Sequence, residues 1–252
     1  MNFAGRTALI TGAASGIGAG VAQWLDAQGI GELVLVDIDL AGMEALELGC
    51  QVRRFAGDVA DPALWERIEA DLPRLDHALI NAGVANGMPL TGTSFEEWRR
   101  ILSINLDGAF LGLRTALRAM KACGSGKSVV LTASAVALKP VPNTAAYGTS
   151  KAAVAHLARV AAAEYLADGI RVNAVAPGRV ETPIWTKTDN FKAMAEKLGS
   201  ADAALEAMGN ATGVEAQFTS VDVMARQIGW LLSDEAENIT GVVLASDGGY
   251  TL

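Results

Sequence analysis

The sequence predicts an α/β protein with a doubly wound, seven-stranded parallel sheet and helices on both faces. Short runs of β-branched and aliphatic residues recur along the chain, and each is followed by turn residues and a longer stretch with helical periodicity. Most of these runs are apolar at every position, which is typical of parallel strands that are buried on both faces. No Pro/Ser-rich linker or internal repeat divides the 252 residues. We therefore expect a single domain over residues 1–252.

The elements follow one another in a regular alternation. The pattern predicts strands at Thr7–Ile10, Leu33–Asp37, Val52–Ala56, Ala78–Asn81, Ser128–Thr132, Arg171–Ala176 and Val242–Ser246. It predicts helices at Gly16–Gln28, Leu40–Leu48, Pro62–Asp71, Phe95–Ala122, Ala145–Ala167 and Val221–Leu232. The alternation stops within residues 183–220, where only two short helices are predicted, Phe191–Leu198 and Ala203–Met208. Long insertions often cover a ligand, so this segment is predicted to form a lid.

The composition excludes several classes of protein. Hydrophobic residues make up 51% of the chain, too many for a disordered protein. The 28 acidic and 20 basic residues give a net charge of −8, which argues against nucleic acid or an anionic membrane as a partner. Residues 7–25 carry no charge, but glycines and polar residues interrupt them, so no membrane segment is expected. Two cysteines, Cys50 and Cys123, favour a reducing, cytoplasmic environment without a disulfide framework.

A glycine-rich turn follows the first predicted strand. Residues 12–18 read Gly-x-x-x-Gly-x-Gly and run directly into a helix. Glycines allow a tight turn and close backbone approach to a ligand, and the N–H groups at a helix N-terminus bind phosphate even in an acidic protein. The turn predicts a pyrophosphate site made by Gly12, Ser15, Gly16, Ile17 and Gly18. A glycine-rich turn with no ligand stays open as an alternative for this loop alone.

An acidic residue ends the second predicted strand, roughly twenty residues after the glycine turn. This is where a dinucleotide-binding protein carries the carboxylate that accepts the ribose hydroxyls of adenosine. Asp37 would repel a 2′-phosphate, and neither residues 13–15 nor Ile38 supplies a cation to neutralise one. The sequence therefore favours NAD over NADP.

Two further strand ends are candidates for cofactor contacts. Asp58 and Val59 follow the third strand and are placed to meet the adenine, although Asp58 could instead cap the helix that begins at Pro62. The fourth strand leads into Asn81, Ala82 and Gly83. This strand should lie beside the first, where the strand order reverses and a ligand crevice opens.

Three polar side chains after the fifth strand suggest acid–base chemistry. Ser134 follows the strand, and Tyr147 and Lys151 come at i and i+4 on a predicted helix, so their side chains share one face. A tyrosine with a pKa near 10 is a poor base at neutral pH, and lowering that pKa by two to three units takes roughly 3–4 kcal/mol. The charge of Lys151 and of a neighbouring nicotinamide ring is expected to supply it.

Taken in order, these motifs resemble those of the short-chain dehydrogenase/reductase family over essentially the whole chain. The resemblance implies a Rossmann-like fold and a homotetramer. It also implies that Tyr147 is the general acid/base, that Lys151 binds the nicotinamide ribose, and that Ser134 holds the substrate oxygen. Asn105 resembles the fourth member of the family's catalytic set, which kinks a helix and retains a water in the proton relay. The resemblance further implies that Pro177 and Gly178 contact the cofactor and that the Val180 backbone and the Thr182 hydroxyl hold the nicotinamide carboxamide.

The substrate is predicted from the residues expected around the nicotinamide. They are almost all apolar, and the residues expected to touch substrate are Ser134, Val136, Asn86 and Trp185. This favours a neutral, moderately hydrophobic secondary alcohol or its ketone, which could be cyclic. A non-catalytic dinucleotide-binding regulator and a reductase of an acyl thioester or sugar remain alternatives. No residue has metal-ligand spacing to His77 or His156, so both are interpreted as structural and no metal is expected.

Assembly is predicted from the two longest helices. They carry apolar residues on more than one face, whereas the sheet can cover only one stripe. These residues are Leu106, Phe110, Leu113, Leu117, Val154, Leu157 and Val160. The surplus is expected to be buried against another subunit.

Overall fold

The computed structural model describes residues 1–72, 74–121, 127–186, 189–201, 203–204, 207 and 218–252. Seven parallel strands form one sheet in the order β3-β2-β1-β4-β5-β6-β7, which confirms the predicted class. The strands are β1 (Thr7–Thr11), β2 (Glu32–Asp37), β3 (Gln51–Ala56), β4 (His77–Ile80), β5 (Lys127–Thr132), β6 (Ile170–Pro177) and β7 (Val243–Ser246).

Helices cover both faces of the sheet. They are α1 (Gly16–Ala27), α2 (Leu40–Glu44), α3 (Pro62–Asp71), α4 (Phe95–Leu102), α5 (Gly108–Lys121), α6 (Ala145–Tyr165), α7 (Pro183–Thr186), α8 (Asp189–Leu198) and α9 (Val221–Leu232). One hydrophobic cluster joins α1, α2 and α9 to the sheet, and the other joins α3, α5 and α6 to it. None of the described helices is both long enough and apolar enough to cross a membrane.

The central strands are buried on both faces because each face packs against helices. In β1, Leu9 belongs to the cluster with α3, α5 and α6, whereas Ala8 and Ile10 belong to the cluster with α1 and α9. All three side chains are almost completely inaccessible to solvent. Uninterrupted apolar strands are therefore explained by burial on two faces.

The long helix predicted over Phe95–Ala122 is wrong in one respect, because it is not continuous. Residues Ser103–Asp107 form a π-helical turn between α4 and α5, and Ala122 lies outside the described residues. The extra residue in such a turn redirects side chains and is often found at functional sites. Here Asn105 lies in the turn and hydrogen-bonds to the backbone after β4.

Other boundaries also differ from prediction. Helix α2 ends at Glu44 instead of Leu48, because the chain turns there toward β3. The carboxylate of Asp26 on α1 holds that turn by accepting hydrogen bonds from the backbone N–H groups of Gly49 and Cys50. Of the predicted helix Ala203–Met208, only residues 203, 204 and 207 are described, and all three are helical.

The strand order reverses between β1 and β4. From β1 the chain first builds outward through β2 and β3, then returns to the other side and continues from β4 to β7. The carboxyl ends of β1 and β4 therefore lie side by side while their following connections diverge. This topology produces the predicted crevice, and the candidate residues lie around it.

Candidate active site

The glycine turn is in direct contact with the segment that follows β4. Gly12 has a φ of +67°, and a Cβ placed on it would lie 2.9 Å from Ala82 Cα and 2.9 Å from Asn81 Nδ2. Gly18 is pressed against the carbonyl oxygen of Gly12, where no side chain fits. Glycine is therefore required at both positions by the backbone itself.

The N-terminus of α1 is open to an anion. Ser15 is the N-cap, but its side chain makes no capping hydrogen bond, and the first turn contains no acidic residue. The N–H groups and the positive end of the helix dipole are thus not neutralised by neighbouring side chains. Gly16, with a φ of +55°, lies against the Thr182 side chain, so the turn also meets the segment after β6.

Asp37 lies at the end of β2 beside the same turn. Its Oδ2 accepts a hydrogen bond from the Ala14 N–H at 2.9 Å, and its Oδ1 accepts one from the Asp39 N–H at 3.0 Å. Both oxygens retain lone pairs for further donors. The carboxylate is therefore fixed next to the glycine turn, as a residue that accepts ribose hydroxyls must be.

The sequence left two roles open for Asp58, contact with adenine or a cap of α3, and the structure excludes the cap. Asp58 does not cap α3; the N-cap is Asp61, whose carboxylate accepts a hydrogen bond from Ala63 N at 2.9 Å. Asp58 is exposed, and its side chain accepts from Ala60 N within its own turn. Val59 is buried against α5, where a Cβ on Gly108 would lie 2.7 Å from it. The predicted adenine contact of this pair stays a prediction.

Asn81 holds three strand ends together. Its side chain donates to the Thr11 carbonyl at 3.2 Å and accepts from the Thr132 hydroxyl at 3.1 Å. The backbone N–H groups of Asn81 and Ala82 both donate to Thr11 Oγ1, at 2.8 and 3.0 Å. These bonds tie β1, β4 and β5 together at the crevice, a role the sequence did not indicate for Thr11 or Thr132.

Asn105 is almost fully buried, with 1% of its surface exposed. Its Oδ1 accepts from Val84 N at 2.8 Å, and its Nδ2 donates to Val84 O at 2.9 Å and to Ser150 Oγ at 3.0 Å. A Cβ on Gly83 would lie 3.2 Å from Asn105 Oδ1 and 3.2 Å from Lys151 Nζ. Asn105 and Lys151 therefore both lie next to Gly83.

Helix α6 places Tyr147 and Lys151 over the end of β5. Lys151 Nζ donates to the Thr132 carbonyl at 2.7 Å and lies 6.0 Å from the centre of the Tyr147 ring. Ser134 begins the turn after β5 and lies close enough to the Tyr147 side chain to affect the pKa of its phenol. The predicted grouping of Ser134, Tyr147 and Lys151 is therefore present, at the same end of the sheet as the glycine turn.

The expected lowering of the tyrosine pKa by Lys151 is not found in the protein alone. Burial raises the pKa of Tyr147, and the opposing contribution comes from the hydrogen bond with Ser134. Burial also lowers the pKa of Lys151, to about 8. The physical reason is that desolvation disfavours whichever form is charged, the phenolate of one group and the ammonium of the other.

The segment after β6 follows the predicted path along the crevice. Gly178 N donates to Ser246 O at 2.9 Å, and a Cβ on Gly178 would lie 2.9 Å from Asp247 Cα, so this backbone is held by the end of β7. Val180 and Thr182 are buried, and the Thr182 hydroxyl donates to the Val180 carbonyl at 3.3 Å. Pro177 ends β6.

The residues predicted to touch substrate are only partly described. Val136 follows Ser134, and its N–H approaches the serine hydroxyl at 3.4 Å. Asn86 lies near Glu97 on α4. Its Nδ2 is buried and has no hydrogen-bond partner of good geometry. The pKa of Glu97 is lowered mainly by Arg100 and to a smaller extent by the Asn86 amide. The side chain of Trp185, in α7, lies outside the described residues.

One buried residue of the site was missed by the sequence analysis. Ser150 is fully inaccessible and connects Asn105 to α6. It lies between Tyr147 and Lys151 in the motif, but serine is common at helix positions that carry no such role. Its significance depends on the π-helical turn, which brings Asn105 to it.

Comparison with known proteins identifies the family. A family model described as enoyl-(acyl carrier protein) reductase matches residues 12–251. The chain is 36% identical to 2,5-dichloro-2,5-cyclohexadiene-1,4-diol dehydrogenase of Sphingobium indicum, over 99% of this chain and 98% of that protein. It is also 36% identical to cis-4-hydroxycyclohexanecarboxylate dehydrogenase of Sinomonas cyclohexanicum, with the same coverage. The crystal structure of levodione reductase matches with a TM-score of 0.86 and 32% identity over 99% of both chains.

The chain belongs to the short-chain dehydrogenase/reductase family. It is an oxidoreductase that acts on a CH–OH group, and the family binds a nicotinamide dinucleotide. The resemblance noted in the sequence is confirmed.

Proposed function

We propose that the protein is an NAD(H)-dependent oxidoreductase that interconverts a neutral, moderately hydrophobic, cyclic secondary alcohol and its ketone. The observation that carries this proposal is the convergence of Ser134, Tyr147, Lys151 and Asn105 at the carboxyl ends of β4 and β5. A regulator that had lost turnover would not need these four polar groups in one buried cluster. We therefore favour catalysis over simple dinucleotide binding.

The residues present fit a nicotinamide dinucleotide. The glycine turn and the uncapped start of α1 fit the pyrophosphate, and the fixed carboxylate of Asp37 fits the adenosine ribose. Lys151 is proposed to bind the nicotinamide ribose, and the backbone around Val180 with the Thr182 hydroxyl to hold the carboxamide. Bound in this way, the cofactor supplies the hydride acceptor or donor of the reaction.

The proton is proposed to move through Tyr147. In oxidation, the Tyr147 phenolate oxygen takes the hydroxyl proton of the alcohol, and in reduction the phenol returns it to the carbonyl oxygen. Ser134 donates a hydrogen bond to that oxygen. Lys151 places a positive charge beside the phenol, and Asn105 supports the backbone next to both groups.

The catalytic assignment is tested by Tyr147→Phe. This change keeps the ring and removes the atom that carries the proton, so NADH binding, followed by fluorescence, should change little. Turnover should fall by about 10²–10⁴-fold, the usual contribution of a general acid/base. Tyr165→Phe, at the far end of the same helix, is the matched control and should retain activity. A Tyr147→Phe enzyme with more than about a tenth of wild-type turnover would contradict the assignment.

The preference for NAD is supported by the negative charge of Asp37 beside the turn. Asp37→Ala should narrow the difference in kcat/KM between NAD and NADP, because it removes the repulsion of a 2′-phosphate. Asp39→Ala is the matched control, since this carboxylate lies two residues away and caps α2 instead. Equal use of NAD and NADP by the wild-type enzyme would refute the preference.

The substrate class is supported by the apolar residues expected around the nicotinamide and by the ring-containing compounds in the names of the two relatives. One of those compounds is a carboxylate, so charge must be tested directly. Initial rates should be measured with cyclohexanol, 4-hydroxycyclohexanecarboxylate, a sugar and a 3-ketoacyl thioester. We expect the neutral cyclic alcohol to give the highest kcat/KM. A clear preference for the carboxylate, the sugar or the thioester would refute this part of the proposal.

We also propose a homotetramer in the cytoplasm, with a substrate lid at residues 183–220. Fewer apolar side chains are left for a subunit interface than the sequence predicts, because Leu113, Leu117 and Val154 are buried within the subunit itself. Phe110 and Val160, however, are 48% and 38% exposed. Their exposure supports burial against another subunit. In the lid, Phe191 and Ala204 are buried, and the backbone of Thr219 pairs with the segment after β6, so the described part of this segment is held at several points.

A further inference from the structure

A buried serine connects the backbone of the catalytic tyrosine to Asn105. Ser150 has no exposed surface and lies one turn after Tyr147 on α6. Its hydroxyl donates to the Tyr147 carbonyl at 2.7 Å and accepts from Asn105 Nδ2 at 3.0 Å. Ser150 is therefore in contact with two residues of the site without reaching the crevice.

The direction of these hydrogen bonds favours the same orientation of the Asn105 amide as the backbone of Val84 does. A serine hydroxyl has one proton, and here that proton is directed to a carbonyl, which can only accept. Toward Asn105, the Ser150 oxygen can therefore act only as an acceptor. The amide must turn its NH₂ group to Ser150, which leaves Oδ1 to face the N–H of Val84.

That orientation in turn holds the backbone beside the catalytic residues. Asn105 then bonds both the N–H and the carbonyl of Val84, at 2.8 and 2.9 Å. The preceding residue, Gly83, lies against both Asn105 Oδ1 and Lys151 Nζ. If the amide were reversed, its NH₂ group would face the Val84 N–H, and its oxygen would face the Val84 carbonyl and the lone pairs of Ser150. The segment after β4 would then lose its attachment to the π-helical turn.

We propose that Ser150 is a positioning residue for the reaction, which acts together with Val84 to hold the Asn105 amide in its orientation and thereby the segment from Gly83 to Asn86 beside Lys151. This inference rests on the roles proposed above for Tyr147, Lys151 and Asn105. Ser150 itself does not touch substrate or cofactor.

The first test is Ser150→Ala, which removes both hydrogen bonds. Turnover with NAD and the best alcohol of the panel should fall five- to tenfold, the size expected for the loss of one net hydrogen bond. The affinity for NADH should stay within twofold of wild type. Hydrogen exchange of a peptide covering residues 83–86 should become faster, since Val84 N–H loses a well-oriented acceptor. Ser150→Thr, which keeps a hydroxyl able to bond the carbonyl of the preceding helical turn, should restore turnover to within threefold.

A matched control separates this effect from the loss of any buried hydroxyl. Ser233 is also fully buried, and its hydroxyl donates to the Trp230 carbonyl at 2.9 Å, the same i to i−3 bond that Ser150 makes. Ser233→Ala should change thermal stability by a similar amount but leave turnover and the exchange at residues 83–86 unchanged. If Ser150→Ala does not fold, Ser150→Cys takes its place with the same expectations, because a thiol is a weak hydrogen-bonding group.

A double-mutant cycle decides whether Ser150 acts through Asn105. The double variant Asn105→Ala/Ser150→Ala should be no slower than Asn105→Ala alone, because the amide to be oriented is already gone. Additive losses, or Ser150→Ala turnover within twofold of wild type, would overturn the inference. A failure of the proposed function is recognised separately: Tyr147→Phe would remain active.

Discussion

Lowering the pH from 7.5 to 5 is expected to destabilise the fold through His77, at the start of β4. The ring is fully buried, with Arg6 Nη1 3.3 Å from Nε2 and Ser128 Oγ 2.9 Å from Nδ1. Since a guanidinium can only donate, Nε2 is the acceptor and Nδ1 carries the proton. Ser128 in turn donates to the Leu232 carbonyl at 2.6 Å. The neutral ring is therefore fully bonded, and a second proton would point at a cation.

The magnitude follows from the pKa of this ring. Burial, and then the charge of Arg6, lower the pKa of His77 to about 4, although Asp76 and Asp234 oppose this. An unfolded histidine titrates near 6.5, so between pH 6.5 and 4 only the unfolded chain takes up the proton. The stability contributed by the neutral ring is thus complete above pH 6.5 and is lost progressively below it. The total is about 3 kcal/mol, of which about 2 kcal/mol is lost between pH 7.5 and 5.

Urea unfolding at fixed protein concentration measures this loss. The free energy of unfolding of the wild type should fall by about 2 kcal/mol between pH 7.5 and 5, and His77→Asn should lose much less over the same range. His156→Asn is the matched control, since the second histidine is exposed on α6 and should leave the pH dependence unchanged. The pKa values of Asp76 and Asp234 are lowered, so the protonation of these two carboxylates changes the free energy of unfolding only at lower pH. Equal pH dependence in His77→Asn and wild type would refute the reasoning.

Three further outcomes are expected. Gly12→Ala should destabilise the protein by about 1–3 kcal/mol, seen in thermal melts, because a Cβ there meets Ala82 in a left-handed backbone conformation; an unchanged melt would contradict this. Cys50, whose pKa is raised to about 12 by burial and then by Asp26, should resist iodoacetamide at pH 8 in the native protein and react only after unfolding. Light scattering at micromolar concentration should give about four times the 26.1 kDa subunit mass, and Phe110→Ser should lower it; a wild-type mass of one subunit would exclude the tetramer.

The strands could be predicted from the sequence because two-faced burial leaves a continuous apolar pattern, whereas of their order only the place of β4 beside β1 was expected. For helix α3 the predicted and observed bounds are both Pro62–Asp71, because a proline at the first turn begins the helix. Periodicity did not predict the break between α4 and α5, because apolar residues continue across it at Ile104 and Leu106; only the family resemblance of Asn105 indicated a kink there. The π-helical turn is stabilised by bonds from Asn105 to Val84 and Ser150, which are distant in sequence.

The candidate site shows the same limit more clearly. Spacing was enough to predict that Tyr147 and Lys151 share a helix face, since i and i+4 positions always do. Spacing also favours Asp61 over Asp58 as the cap of α3, because Asp61 directly precedes Pro62, but it could not predict the bonds of Asn81 to Thr11 and Thr132. Nor could it indicate Ser150, whose partners are set by tertiary packing.

Burial also explains why the electrostatics of the site differ from the sequence-based expectation. It raises the pKa of Tyr147 and lowers that of Lys151 to about 8, so within the protein alone both groups are driven toward their neutral forms. At pH 7 the phenol of Tyr147 is therefore neutral, and Lys151, with a pKa of about 8, is mostly protonated, so neither group accepts a proton in the protein alone. A positive nicotinamide ring would favour the phenolate at the same position where Lys151 Nζ is held by the Thr132 carbonyl. The tyrosine is therefore expected to become a base only together with its oxidised cofactor, which restricts proton removal to the complex that is ready to accept hydride.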